Sequence, residues 1–408
     1  MKRSIPSPAG GRRAMLSSGR ALSGVAAAVS FAGLLVLLSP PARAQTAPAP
    51  AAAESNTVIP HAPYPVSARA RALHATIPVA DLHADPLLSN RDLLQRSTHG
   101  HIDIPRLQDG GFALQDFSVV TKSPRGSNYV QTSADAPDDM TDRIKRDGWP
   151  PRTWNSILQR ALFLADKLKD LEKRSGGAVR VVRTKADLRR ARQDHVIAGI
   201  LLSEGAHPLE GKLSNVQVMY DAGFRVLGLT HFFDNEVGGS LHGVSQAGLT
   251  AFGRQVIPEA EAKGMIIDVA HASEATVRDT LAISKRPVIL SHTGVKGYCD
   301  TPRNVSDATL KAIADRGGLI GVGYWDAAVC KPTMKNVTEA ITYAVKLLGP
   351  EHVALGSDFD GGTVTPFDAS EMPALTSALL DAGLDEKTVR LVMGENAMRF
   401  FSTYLPGQ

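Results

Sequence analysis

The chain reads as an α/β protein whose strands close into a (β/α)8 barrel of the TIM type, on three observations. Eight short apolar runs rich in β-branched residues alternate with longer amphipathic segments, the pattern of parallel strands joined by crossover helices. Most runs end on a histidine or an acidic residue, and a barrel places its chemistry at the C-terminal ends of its strands. No glycine-rich phosphate loop follows the first run, as a doubly wound open sheet would be expected to show.

In chain order, IPVADLH at 77–83 rises through Ile77, Val79 and Leu82 to His83, with Asp85 just beyond. FALQDFSVV at 112–120 is the second run. The polar, Pro- and Gly-punctuated stretch 121–153 follows; at a barrel mouth it is a candidate lid, and otherwise a surface insertion. The helical SILQRALFLADKLKDLEK leads to HVIAGILLSE at 195–204, which ends on Glu204, and FRVLGLTH at 224–231 ends on His231. AFGRQVIPEAEAKG closes on glycine, as helices do, before GMIIDVAH at 264–271 with His271 at its end. EATVRDTLAIS precedes RPVILSH at 286–292, ending on His292. DATLKAIADRG precedes GLIGVGYW at 318–325, and TEAITYAVKLLG precedes HVALGSDFD at 352–360, which carries Asp358 and Asp360.

Three segments are expected along the chain. Lys2, Arg3, Arg12, Arg13 and Arg20 precede an apolar stretch from Ala21 to Leu38 and then Ala42-Arg43-Ala44, the pattern of a signal peptide over 1–44 cut before Gln45. Arg12-Arg13 also suits a twin-arginine signal. Residues 45–60, rich in Ala and Pro, read as a flexible leader, and 61–408 as a single barrel domain. Removing the signal takes away six of 45 basic residues and none of the 41 acidic ones, so the formal charge becomes about −2 in place of +4. Composition then gives no case for nucleic acid or anionic membrane as partners. No later segment is apolar enough to span a bilayer, so a soluble, exported product, periplasmic or secreted, is expected, with no stable membrane insertion. Cys299 and Cys330 are an even pair in an exported chain; a disulfide and two separate buried thiols both remain open.

Imidazole nitrogen and carboxylate oxygen are the ligands of catalytic zinc, and buried groups of this kind are costly without a cation or hydrogen-bond partners. One strand-end histidine is more often structural than a ligand. Several on one barrel mouth are harder to explain by packing. Glu204 is the only carboxylate on the third strand end and could bridge two ions about 3.5–4 Å apart. Each residue also has a plainer reading. His231 could bond Asp234, Arg303 could pair with Asp300 or Asp307, Asp268 could pair with Lys263 rather than support a histidine, and periodicity does not separate Asp358 from Asp360.

DLHAD, SEGAHPLEG, LTHFFDNEVGG, IIDVAHAS, ILSHTGVKGYCDTPRNVSD and ALGSDFDGG together resemble the membrane (renal) dipeptidase family of zinc metallopeptidases, and HIDIPRLQDGG and VMGENAMRFF are similar to it as well. The likeness runs in order from about residue 75 to 401. It implies a metal-dependent hydrolase barrel with two Zn2+ per chain, His83, Asp85 and Glu204 holding one and Glu204, His271 and His292 the other. It also implies hydrolysis of dipeptides, with tolerance for a D-residue on the C-terminal side, by a metal-bridging hydroxide. His231 would contact the substrate at the scissile carbonyl, Arg303 would bind its terminal carboxylate, and Asp358 would be the acid/base. Cys299 lies four residues before Arg303, where relatives have a disulfide, which favours a bond to Cys330. The resemblance hints at a homodimer. The membrane-anchor signal of mammalian relatives has no counterpart in FFSTYLPGQ. Two other readings stay open: a dizinc amidohydrolase acting on another small amide or lactam, and a non-catalytic binding protein stabilised by metal.

Overall fold

The structure, a computed structural model, describes residues 55–407; the expected signal peptide and the first part of the expected leader lie outside them. Each of the eight runs supplies one strand of a barrel: β1 (Val79–Ala84), β2 (Phe112–Val119), β3 (Ile197–Ser203), β4 (Phe224–Gly228), β5 (Ile266–Asp268), β6 (Ile289–Thr293), β7 (Leu319–Val322) and β8 (Val353–Leu355). Neighbours pair in parallel around the ring, Leu355 of β8 opposite Asp81 of β1, and the ring closes where β2 also pairs with β3. A short strand, Val179–Val181, pairs with the start of β3.

Helices cover the strands because the sequence both patterns and caps them. Ile157–Arg174, Glu274–Ile283, Asp307–Asp315 and Met334–Leu348 begin after Ser156, Ser273, Ser306 and Thr333, whose hydroxyls each accept a backbone N–H of the first turn. Such caps satisfy donors that a helix start leaves orphaned and are worth about 1 kcal/mol each. One apolar cluster takes residues from all eight strands, among them Leu82, Leu114, Ile200, Val226, Ile266, Ile289, Leu319 and Ala354, and is therefore the barrel interior. Leu188 and Ala191 of helix Lys185–Gln193 and Phe400 and Phe401 of helix Asn396–Tyr404 join it and close the N-terminal end. The floor is apolar. Polar groups concentrate at the other end.

Two expectations need correction. Composition predicts a flexible leader to residue 60, but Thr57–Val58 pairs in parallel with Val364–Thr365, and the Asn56 and Ile59 N–H groups donate to the carbonyls of Thr363 and Thr365 at 2.8 and 2.9 Å. Alternation cannot reveal a strand of two residues whose partner is some 300 positions away. Three apolar runs also end earlier than their histidine or aspartate: β4 stops at Gly228, β5 at Asp268 and β8 at Leu355. His231, His271 and Asp358 each sit three residues beyond, on the loops.

Gly321 of β7 and Gly356, just past β8, lie where an added Cβ would press on the carbonyl oxygen of Ser291 in β6. That oxygen belongs to backbone that cannot swing aside. Gly321→Ala is expected to destabilise the fold by about 1–3 kcal/mol, the usual cost of overpacking, measured by denaturant unfolding; an unchanged midpoint would contradict this account of the barrel wall.

Candidate metal centre

The barrel brings together every residue singled out for chemistry. His83 lies in β1 and Asp85 one residue past it; Glu204 directly follows β3; His292 lies in β6; His231, His271 and Asp358 lie on the loops after β4, β5 and β8; Arg303 lies on the loop after β6. All are buried. His271 and Asp358 adopt left-handed backbone, with φ of 59° and 58°. For residues other than glycine this costs on the order of 1–3 kcal/mol and persists only where surrounding structure imposes it. Gly361 makes room for Asp358, since a Cβ there would strike its carboxylate and come within 2.9 Å of Asp85 Oδ2.

Glu204 is the hub. Its Oε1 lies 3.1 Å from His271 Nε2, 3.4 Å from both His231 Nε2 and His292 Nε2, and 3.7 Å from His83 Nε2. His83 Nε2 is also 3.4 Å from Asp85 Oδ2 and 3.9 Å from Asp358 Oδ1. Three groups of potential ligand atoms lie within 4.8 Å of one another: His83, Glu204 and His292; Glu204, His231 and His271; His83, Asp85 and Asp358. The grouping differs from the division that the resemblance implies, because His83 stands beside His292 as well as beside Asp85.

Burial holds His231, His271 and His292 well below the usual imidazole range, reinforced by nearby Arg303. Burial opposes a charge on His83 too, yet Glu204, Asp85 and Asp358 overcome it and push that ring up to about 10. Burial raises Glu204 well above the carboxylate range and Asp358 to about 8, with Asp85 adding to both. These shifts favour the protonated forms of His83, Glu204 and Asp358, and a bound cation would compete with those protons. His83 Nε2 and Asp85 Oδ1 are buried without a hydrogen-bond partner. Neutral imidazoles, clustered carboxylates and unpartnered donor atoms are what a divalent ion such as zinc requires, so the residues fit one.

The plainer readings of single residues fail on geometry. Asp234 accepts the N–H groups of Ser240 and Ser245, not His231. Asp307 accepts from Gly297 N and Tyr343 Oη, and Asp300 is exposed near Lys296, so neither pairs with Arg303. Arg303 is 1% exposed; its Nη2 donates to the His292 carbonyl at 3.0 Å, its guanidinium carbon lies 5.3 Å from the centre of the Trp325 ring, and its Nη1 has no partner. Lys263 pairs with Glu259, while Asp268 accepts from Ser291, which contacts two histidines. Asp360 is bound by Arg91 and by the His101 N–H, whereas Asp358 faces His83. Cys299 and Cys330 stand at disulfide distance, their Cα atoms 5.7 Å apart, where the Arg303 loop meets the loop after β7.

A cavity of about 630 Å³ opens over the centre. The stretch 121–153 forms part of its wall through Tyr129, Met140, Arg143 and Arg146. Asp138 anchors the stretch by accepting from Ser123 N, Met140 N and Arg160 Nη1, and Thr132 N donates to the His242 carbonyl. Sequence reasoning missed Tyr129, Phe232 and His242, whose rings pack together beside His271. Tyr129 lies in an irregular loop, where periodicity carries no signal. Phe232 and His242 follow the LTH triplet closely, and their aromatic character was the available clue.

A sequence model of the membrane dipeptidase family, peptidase family M19, matches residues 67–404. An uncharacterized protein in the pqqA 5′ region of Klebsiella pneumoniae is 33% identical over 247 residues, covering 57% of this chain and 91% of that protein. Among solved structures, the chain is similar to dipeptidase AC, a family M19 metallopeptidase (25% identity, 81% of this chain and 99% of that one, TM-score 0.68). It is also similar to a metallopeptidase from Rhodobacter sphaeroides liganded with a phosphinate mimic of the dipeptide L-Ala-D-Ala (26% identity, 81% and 99% coverage, TM-score 0.67).

The raised groups give the metal-free fold a defined pH dependence. Asp358, at about 8 against an ordinary 3.8, and His83, at about 10 against 6.5, contribute stability that is complete below their unfolded values and lost as pH rises through the folded ones. The three depressed histidines act oppositely, but only below their ordinary 6.5. Above about pH 7 the first effect stands alone at this centre. The difference in melting temperature between zinc-loaded and chelated protein, which cancels remote groups, is expected to widen from about pH 7 to about pH 9. A constant or shrinking gap would contradict it.

Proposed function

Since the chain belongs to the membrane dipeptidase family and is a hydrolytic metallopeptidase, we propose that it is a zinc-dependent dipeptidase cleaving the peptide bond of free dipeptides. The observation that carries this reading is the convergence of four imidazoles on Glu204 Oε1, within 3.1–3.7 Å, at the mouth of a barrel. His83, Asp85, Glu204, His271 and His292 would hold two zinc ions, with Glu204 shared. Bound zinc would supply a water acidic enough to attack at neutral pH and would polarise the scissile carbonyl.

The chain's own groups account for the remaining steps. Arg303, buried and with Nη1 free, would take the substrate's terminal carboxylate, which an internal peptide bond lacks. His231 would donate a hydrogen bond to the carbonyl oxygen as negative charge builds on it. Asp358 would accept the proton of the attacking water on Oδ1 and return it to the leaving amine nitrogen. The loop carrying Tyr129 would exclude bulk water from the cavity. The likeness to the Rhodobacter enzyme supports tolerance of a D-residue at the C-terminal side.

We also take residues 1–44 as an export signal and 61–408 as one catalytic domain acting in the periplasm or outside the cell. A Cys299–Cys330 bond suits an oxidising compartment. Among the described residues no helix is long and apolar enough to cross a membrane.

The reading is tested by metal analysis coupled to hydrolysis of a dipeptide panel, including L-Ala-D-Ala, with free and amidated C-termini. About two zinc ions per chain and a preference for free acids of roughly 10–100-fold are expected, the size of a hydrogen bond between charged groups. Arg303→Ala should erase that preference; equal rates on both forms by the parent would remove the carboxylate role. Asp358→Asn should keep its zinc and lose about 10²–10⁴ in kcat. Full turnover in that variant would exclude Asp358 as the proton carrier.

A further inference from the structure

Ser291 precedes His292 in β6, and its hydroxyl touches three groups: Asp268 Oδ2 at 2.6 Å, His292 Nδ1 at 3.0 Å and His83 Nδ1 at 3.3 Å. The two rings lie side by side, 3.7 Å between centroids and tilted by 36°, so both reach the same oxygen. A hydroxyl has one hydrogen to donate and lone pairs with which to accept. Where that hydrogen goes decides what the histidines must do.

Asp268 decides it. Its Oδ1 accepts two backbone N–H groups, from Ala270 at 3.0 Å and from Ser291 at 2.9 Å, which leaves Oδ2 to receive the Ser291 hydrogen. The hydroxyl oxygen then has only lone pairs to offer the imidazoles. Each can bond it only by donating, which requires a proton on Nδ1. A neutral histidine with its proton on Nδ1 presents a lone pair at Nε2, and Nε2 is the atom that both rings turn toward Glu204.

We propose that Asp268 and Ser291 are positioning residues that set the tautomer of two histidines at once, one carboxylate orienting one hydroxyl so that His83 and His292 both present Nε2 to the metal. The inference rests on the reading of this centre as a metal site. His271 has no equivalent support, since its Nδ1 is buried without a hydrogen-bond partner. The arrangement therefore biases one histidine of each proposed zinc, while His271 is met from another side by Arg303 Nη2, a donor 3.3 Å from its Nε2.

The geometry supplies a discriminating substitution. In Asp268→Asn the two backbone N–H groups still demand an oxygen at Oδ1, so the amide NH2 must face Ser291. It would then donate to the hydroxyl, freeing the Ser291 hydrogen to point at an imidazole Nδ1 and driving that ring's own proton to Nε2, the wrong tautomer for a ligand. Zinc affinity, measured by chelator competition on the full enzyme, is expected to fall at least about tenfold in Asp268→Asn. Ser291→Ala, which removes the bias without reversing it, should fall less, and Ser291→Thr should recover the parent's affinity. In ¹⁵N spectra of the chelated enzyme, His292 should carry its proton on Nδ1 in the parent and on Nε2 in Asp268→Asn.

Parent affinity in Asp268→Asn, or an unchanged His292 tautomer, would overturn the proposal. If Asp268→Asn does not fold, equal zinc affinity in Ser291→Ala and the parent would do the same. A parent that binds no zinc would defeat the metal reading instead, while the His292 tautomer would still test the hydrogen-bond argument.

Discussion

Three carboxylates gathered around one buried imidazole set the terms for the rest of this molecule. Asp85, Glu204 and Asp358 lie 3.4, 3.7 and 3.9 Å from His83 Nε2 in a region almost closed to water. Like charges in such a place are tolerated only with protons or cations between them. Burial, with Asp85 beside them, raises both Glu204 and Asp358, the direction in which protons offset that repulsion. Divalent ions would relieve the same repulsion and leave the groups free for chemistry.

The barrel is suited to hold that arrangement because its two ends are built differently. One residue or more from every strand fills the lower interior with apolar side chains, and two helices close it. Rigidity there fixes the directions in which the upper strand ends point. β6 is central to the upper end: Gly321 and Gly356 press close to its backbone, Asp268 receives the N–H and hydroxyl of Ser291, and His292 follows immediately. Strained backbone at His271 and Asp358 turns their side chains inward from loops.

The proposed substrate contacts lie on loops. Arg303 is carried by a loop held to its neighbour by Asn304, whose side-chain amide donates to the carbonyls of Cys299 and Ala328, and Cys299 and Cys330 stand at disulfide distance between the same two loops. The long stretch after β2 contributes Tyr129 and two arginines to the cavity wall. A rigid scaffold with variable loops allows substrate choice to change without disturbing the metal ligands.

Much of this was legible in the chain. Eight apolar runs marked eight strands, and amphipathic segments, several closing on glycine, marked the helices between them, because periodicity and helix-end signals are local properties. The ligand-type residues were legible as well, since a buried imidazole or carboxylate needs a reason that its neighbours in sequence did not supply. Sequence did not decide between Asp358 and Asp360, nor what Asp268 and Arg303 face, nor that Thr57 and Val58 join a strand. Each of those depends on a partner distant along the chain: His83 for Asp358, Arg91 for Asp360, Ser291 for Asp268 and Val364 for Thr57. Local pattern records what a segment can form, whereas the contact that assigns a side chain its role exists only once closure of the barrel has brought the other strand beside it.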